Sequence, residues 1–211
     1  MINLLHTGQL MPSRRRFIVY ISLASFFLLA GCKKNNSSNP ATQDLPILGK
    51  VPDFSFTNQN GAAFGSEQLS GSPYIAAFMF TRCPSICPRL TAVMKEVDEA
   101  MLKASVDLQL ISISVDPEHD TPIRLLDYAK KYKADPQRWN FLTGDFQLIA
   151  RTAEEGFKVG VSGTVDPQKP HLGITHASHL ILVDKHNNIR GYFRTSDNDV
   201  TDQLLSAAKK L

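Results

Sequence analysis

From Tyr74 onward, short apolar runs alternate with segments of helical period. Tyr74 to Phe80 is apolar throughout and reads as a strand buried on both faces. Leu90, Val93, Met94, Val97 and Met101 then recur at helical spacing, with Lys95, Glu96 and Glu99 between them, which predicts an amphipathic helix lying on a sheet. Leu108 to Val115 is a second buried strand. Asp116 to Pro122 follows as a turn in which Asp120 or Thr121 can cap the next helix, with Pro122 in its first turn and Leu125, Leu126 and Tyr128 inward. Trp139 to Leu142 is a third short strand, Thr143-Gly144-Asp145 a turn and cap, and Phe146 to Phe157 another helix. Val159 to Leu172 is Gly-rich and polar, which predicts a loop over one sheet edge. Leu180 to Val183 and Ile189 to Phe193, joined through Asp184 to Asn188, form an antiparallel hairpin, and Val200 to Leu211 a closing helix. Upstream, Val51 to Phe56 alternates and Asn60-Gly61 marks a turn, so a first hairpin extends the domain at its N-terminal side, Phe64 to Leu69 returning or making a short helical turn. Strands alternating with helices indicate an α/β sheet rather than a sandwich.

Residues 1–31 follow a different pattern. Arg14, Arg15 and Arg16 precede the apolar run Phe17 to Ala30, which falls short of the about 20 residues of a spanning helix and reads as an export signal. Leu29-Ala30-Gly31-Cys32 resembles the lipobox of bacterial lipoproteins, which implies cleavage before Cys32 and lipid on its sulfur. An uncleaved anchor helix would tether the domain equally. Ser13 to Ile18 also resembles a twin-arginine motif, though an ordinary basic leader accounts for it. The expected organisation is a signal at 1–31, a lipidated Cys and polar tether at 32–47, and one folded domain at 48–211. The tether reaches about 40 Å when extended. The domain is expected in the bacterial cell envelope, held to a membrane on its extracytoplasmic, periplasmic side.

With 43% hydrophobic and 20% charged residues, the composition is that of one ordinary globular domain. The net charge of +3 is misleading. Of 23 basic residues, three lie in residues 1–31, a segment without acids, so the remainder carries 20 basic against 20 acidic residues. A neutral domain offers no electrostatic case for nucleic acid, nor for strong attraction to an anionic membrane.

Three cysteines are an odd number for an exported chain, and lipidation of Cys32 leaves Cys83 and Cys87 as a pair. Both lie in Thr81-Arg82-Cys83-Pro84-Ser85-Ile86-Cys87-Pro88, at the turn from the central strand into a helix. If that helix opens around Pro88, its positive end favours thiolates at both sulfurs. A Cys-x-x-Cys here would indicate a redox catalyst, whereas three intervening residues suit a metal better. A structural disulfide remains the alternative. A third ligand would come from the histidines. His6 is lost with the signal, and His186 sits at a hairpin tip. His176 and His179, three residues apart at the start of a strand, point to opposite faces, so at most one reaches the cysteines. His171 lies in a loop. Met94 and Met101 occupy core-facing helical positions and are read as packing.

The stretches Phe80 to Pro88, Ser114-Val115-Asp116-Pro117-Glu118-His119-Asp120-Thr121-Pro122, and Thr175-His176-Ala177-Ser178 leading to Leu182-Val183-Asp184 together resemble the Sco/SenC family of membrane-tethered copper proteins. The resemblance runs from about Val51 to the C-terminus. It implies a thioredoxin-like fold, a central mixed sheet flanked by helices. It also implies that Cys83 and Cys87 are thiolate metal ligands and His176 the imidazole ligand, with His179 an ordinary strand side chain. His119 stands where the family usually has Arg. Two thiolates and an imidazole suit Cu(I), with a further oxygen completing a Cu(II) site, although zinc would accept the same set. The function implied is delivery of copper to the binuclear copper centre of cytochrome c oxidase. Partners would be the oxidase's copper-bearing subunit and an upstream copper donor or thiol reductant. The competing reading is a thiol-disulfide reductase that keeps the oxidase's cysteines reduced, with Cys83 and Cys87 as its redox pair. Thioredoxin-like catalysts carry a cis proline before the strand facing the cysteines, and this chain has no proline after Pro170. Thr81-Arg82-Cys83 faintly resembles a peroxide-reducing enzyme.

Overall fold

The computed structural model describes residues 44–160 and 178–211. The predicted signal, Cys32, most of the tether, and the loop holding His171 and His176 lie outside the described residues. In chain order the elements are β1 (Gly49–Lys50), β2 (Ser55–Asn58), β3 (Ala63–Gly65), β4 (Tyr74–Met79), α1 (Ile86–Lys103) and β5 (Gln109–Ser114). There follow α2 (Pro122–Lys131), β6 (Trp139–Thr143), α3 (Phe146–Arg151), β7 (His179–Val183), β8 (Asn188–Arg194) and α4 (Val200–Ala208).

One mixed sheet has the strand order β1-β8-β7-β4-β5-β6-β2-β3. All six residues of β4 are buried, as its unbroken apolar run requires of a strand covered on both faces. β5 runs parallel to β4 on one side, and β7 antiparallel to it on the other. β6 continues the parallel set. The path from β4 through α1 to β5, and through α2 to β6, advances one way across the sheet, so right-handed crossovers place both helices on the same face. A hydrogen bond between the Thr91 and Tyr128 hydroxyls, at 2.9 Å, joins them there. Tyr128 also meets Phe141 edge-on at 5.9 Å. Ala77, Ser112 and Phe141 are register partners and share that face, whereas Phe78 turns to the other and packs on Phe157 at 5.3 Å. α4 completes the first face against α1 and β8.

Most predicted elements fall where the periodicity put them, and the departures have local causes. The first hairpin forms from β2 and β3 rather than from residue 51. Its turn is closed by Asn58, whose side-chain oxygen accepts from the N–H groups of Asn60 and Ala62, with Gly61 at φ +80°. One residue of the predicted tether already joins the domain, since Arg190 donates to the Leu45 carbonyl. The helix expected to run to Phe157 ends at Arg151, and a wider π turn follows over Thr152–Gly156. No helix among the described residues is long and apolar enough to cross a membrane.

Candidate metal centre

Because β4 and β5 are parallel neighbours, the turns that leave their C-terminal ends meet at one sheet edge, the usual place for a site in such sheets. The turn after β4 carries both cysteines. The turn after β5 is Asp116 to Asp120, and it acts as the cradle for the first. Asp116 accepts from Arg82 Nε at 2.5 Å and from Nη2 at 3.1 Å, a bidentate pair whose carboxylate is fully buried. Asp120, also fully buried, accepts from the Thr81 N–H at 2.9 Å, from the Thr81 hydroxyl, and from Ser114 Oγ at 2.6 Å. Its Oδ1 lies 3.0 Å from His119 Nδ1. Burying either carboxylate without partners would cost several kcal/mol, so these contacts hold Thr81 and Arg82 in one geometry. The two residues directly before Cys83 are therefore fixed.

The cysteines are not equivalent. Cys83 is 7% exposed and Cys87 not at all, and no disulfide joins them. The Cys87 N–H approaches Cys83 Sγ at 3.4 Å, as expected where a helix's unpaired N–H groups face a sulfur. Burial pushes the Cys83 thiol up. Hydrogen bonds from the N–H groups of Cys87 and Ser85, from the Cys87 thiol and from the Ile86 N–H outweigh it and hold Cys83 below the ordinary cysteine value. Cys87 is pushed well up, first by burial, which a backbone hydrogen bond at Phe80 opposes, then by the Cys83 sulfur and the Asp120 charge. The expectation that the helix end favours both thiolates thus fails for Cys87. α1 begins at Ile86, two residues before Pro88, so Cys87 sits inside the first turn and is covered by the core. The arrangement provides one thiol biased toward its thiolate beside a partner that keeps its proton, which serves metal capture and disulfide exchange alike.

Of the other predicted residues, His179 opens β7 half-buried opposite Arg194, as a strand side chain should. His186 is exposed at the β7–β8 turn. Met94 and Met101 are buried in the core. β7 pairs Val183 with Tyr74 and Ile181 with Ala76, so its first residues lie toward the edge where β4 gives way to the cysteine turn. His176, His171 and Cys32 lie outside the described residues. Sequence reasoning missed the supporting role of Thr81, Arg82, Asp116 and Asp120. The available signal was two acids four apart directly after a buried strand, with an arginine beside the first cysteine. A cleft of about 820 Å³ opens elsewhere, lined by Asp53, Phe54, Glu67 and Leu148 among others, and includes neither cysteine.

A cysteine pair on the turn between the central strand of a mixed sheet and the helix after it defines a thioredoxin-like thiol site. The chain belongs to the SCO1/SenC family, whose profile matches residues 46–211. It is similar to the crystal structure of a SCO1/SenC family lipoprotein from Bacillus anthracis, with 29% identity, TM-score 0.73, and coverage of 79% of this chain and 96% of that one. BsSco, described as having a disulfide switch and as a member of the Sco family of cytochrome c oxidase assembly proteins, is 31% identical with TM-score 0.71, covering 80% and 97%. ScoI from Bradyrhizobium japonicum, solved with copper bound, is 29% identical with TM-score 0.62, covering 77% and 98%.

Proposed function

We propose that this protein takes up a copper ion through Cys83, Cys87 and His176 and passes it by ligand exchange to the copper-bearing subunit of cytochrome c oxidase. The observation that carries the reading is the cysteine turn itself. The first sulfur accepts N–H groups that favour its thiolate, the second lies four residues on, and buried carboxylates fix the approach. Two soft thiolates and an imidazole suit Cu(I). Three residues of sequence separate His176 from the first residue of β7, a span of at most about 11 Å of chain. Copper in the Bradyrhizobium japonicum relative and the oxidase-assembly description of BsSco support the cargo and its destination. The His176→Ala variant is expected to lose most of its copper affinity while the Cys83–Cys87 disulfide still forms and reduces. Copper titration under anaerobic conditions, with thiol counting, checks both, and unchanged affinity would sink the ligand set.

Thiol chemistry is the second reading, favoured by the unequal thiols and by the disulfide switch of BsSco. Rescue of oxidase assembly in a deletion strain by His176→Ala would decide for the reductase. In either role the lipid on Cys32 and the tether raise the site's effective concentration at a membrane-bound partner outside the cytoplasm. The Bacillus anthracis relative is described as a lipoprotein. Cys32→Ser is expected to move the protein from the membrane fraction to the soluble periplasm, which fractionation reads directly.

A further inference from the structure

The proposed delivery function leaves unexplained a third potential ligand beside the cysteine turn. Among the described residues, Asp116, His119 and Asp120 bring ligand atoms within 4.8 Å of one another. As a closed metal site the trio is spent, because Asp116 is engaged by Arg82, and Asp120 by Thr81 and Ser114. What stays open is one nitrogen. The Asp120 carboxylate accepts, so a neutral imidazole at this position donates from Nδ1, across 3.0 Å, and carries its lone pair on Nε2. A carboxylate behind a histidine, fixing its tautomer and orientation, is how metal-binding imidazoles are prepared. The His119 side chain is 30% exposed, and no described residue bonds its Nε2. Its Nδ1 is 3.4 Å from Thr81 Oγ1, and Cys83 is two residues beyond Thr81, no more than about 7 Å of chain.

We propose that His119 Nε2, oriented by Asp120, is the exchange ligand through which copper reaches and leaves the Cys83 and Cys87 sulfurs. The inference rests on the copper-binding reading of those cysteines. On arrival, a Cu(I)–Nε2 bond forms as a bond to the donor breaks. Bonds to the Cys83 and Cys87 sulfurs then form, the Cys87 proton passes to solvent, and the Cu–Nε2 bond breaks. Departure reverses the steps, the copper remains Cu(I), and no electron moves. Such a ligand stabilises the path rather than either end, so it speeds loading and removal equally and leaves the affinity unchanged.

The experiment compares wild type with His119→Ala and His119→Arg under anaerobic conditions, with a bathocuproine chelate of Cu(I) first as donor and then, as free chelator in excess, as acceptor. The chelate's absorbance gives both rates, and an equilibrium competition gives the affinity. Arg keeps a donor for Asp120 but has no lone pair. Both variants are expected to load and unload about tenfold more slowly at unchanged affinity, the lower end of what outer groups at metal sites contribute. Rates equal to wild type in His119→Ala would overturn the proposal, as would wild-type rates in His119→Arg, which would assign the role to the donor. Weakened affinity with faster unloading would make His119 a resident ligand and overturn it too. A urea midpoint for each variant separates these outcomes from misfolding, and the Arg variant carries the test if the Ala variant does not fold. If wild type takes up no copper, or takes it up equally after Cys83→Ser with Cys87→Ser, the copper reading itself fails, and this inference with it.

Discussion

Cys83 and Cys87 are four residues apart, yet their thiols differ because burial and hydrogen bonding act on them in opposite proportions. Cys83 receives N–H groups of the helix's first turn, which favour its thiolate, whereas Cys87 lies in the core and keeps its proton. A pKa lowered in the folded state means that the thiolate persists to lower pH. In the metal-free reduced protein, iodoacetamide is therefore expected to modify Cys83 at pH values where an ordinary thiol is largely unreactive, and to leave Cys87 unmodified until the protein unfolds. Mass spectrometry of the labelled peptides across a pH series checks this, and equal labelling of both cysteines would contradict it. The pairing of two cysteines was legible in their spacing. Their inequality was not, because it depends on which side of the helix's first turn the core covers.

At the scale of elements, periodicity located the strands and helices because buried faces repeat locally, every second residue in a strand and every 3.6 in a helix. It failed where a tertiary contact overrode local preference. Asp120 was a candidate cap for α2, but its side chain turns to Thr81 and Ser114, and Thr121 takes the cap position without a side-chain bond. The expected helix over Phe146 to Phe157 widens after Arg151, with the Phe157 N–H reaching the Thr152 carbonyl at 3.1 Å, and Phe157 packs against Phe54 and Phe78. Gly156 permits that turn to approach residue 52, since a Cβ there would stand 2.9 Å from Pro52 Cδ. Gly156→Ala is expected to lower stability by about 1–3 kcal/mol through overpacking. Urea unfolding checks the value, and a neutral result would show that Pro52 yields.

For the whole molecule, a ligand that binds the folded state and not the unfolded chain stabilises by mass action. Copper held at 100 times its dissociation constant is expected to stabilise the reduced protein by about 2.7 kcal/mol, and a chelator to abolish the gain. Thermal unfolding followed by circular dichroism reads the shift. Prior oxidation of Cys83 and Cys87 to a disulfide is expected to remove it, and an equal shift in the oxidised protein would place the metal elsewhere. The amino-acid order alone determined the α/β class, the central strand and the cysteine turn, because each follows from patterns within a dozen residues or from one compact motif. The tertiary structure decided what surrounds that turn. Arg82 meets Asp116 across 34 residues of chain and Thr81 meets Asp120 across 39, and they meet because β4 and β5 are parallel neighbours whose C-terminal ends share one edge. No local pattern specifies which strands become neighbours, since that choice is made by the burial of whole faces against one another.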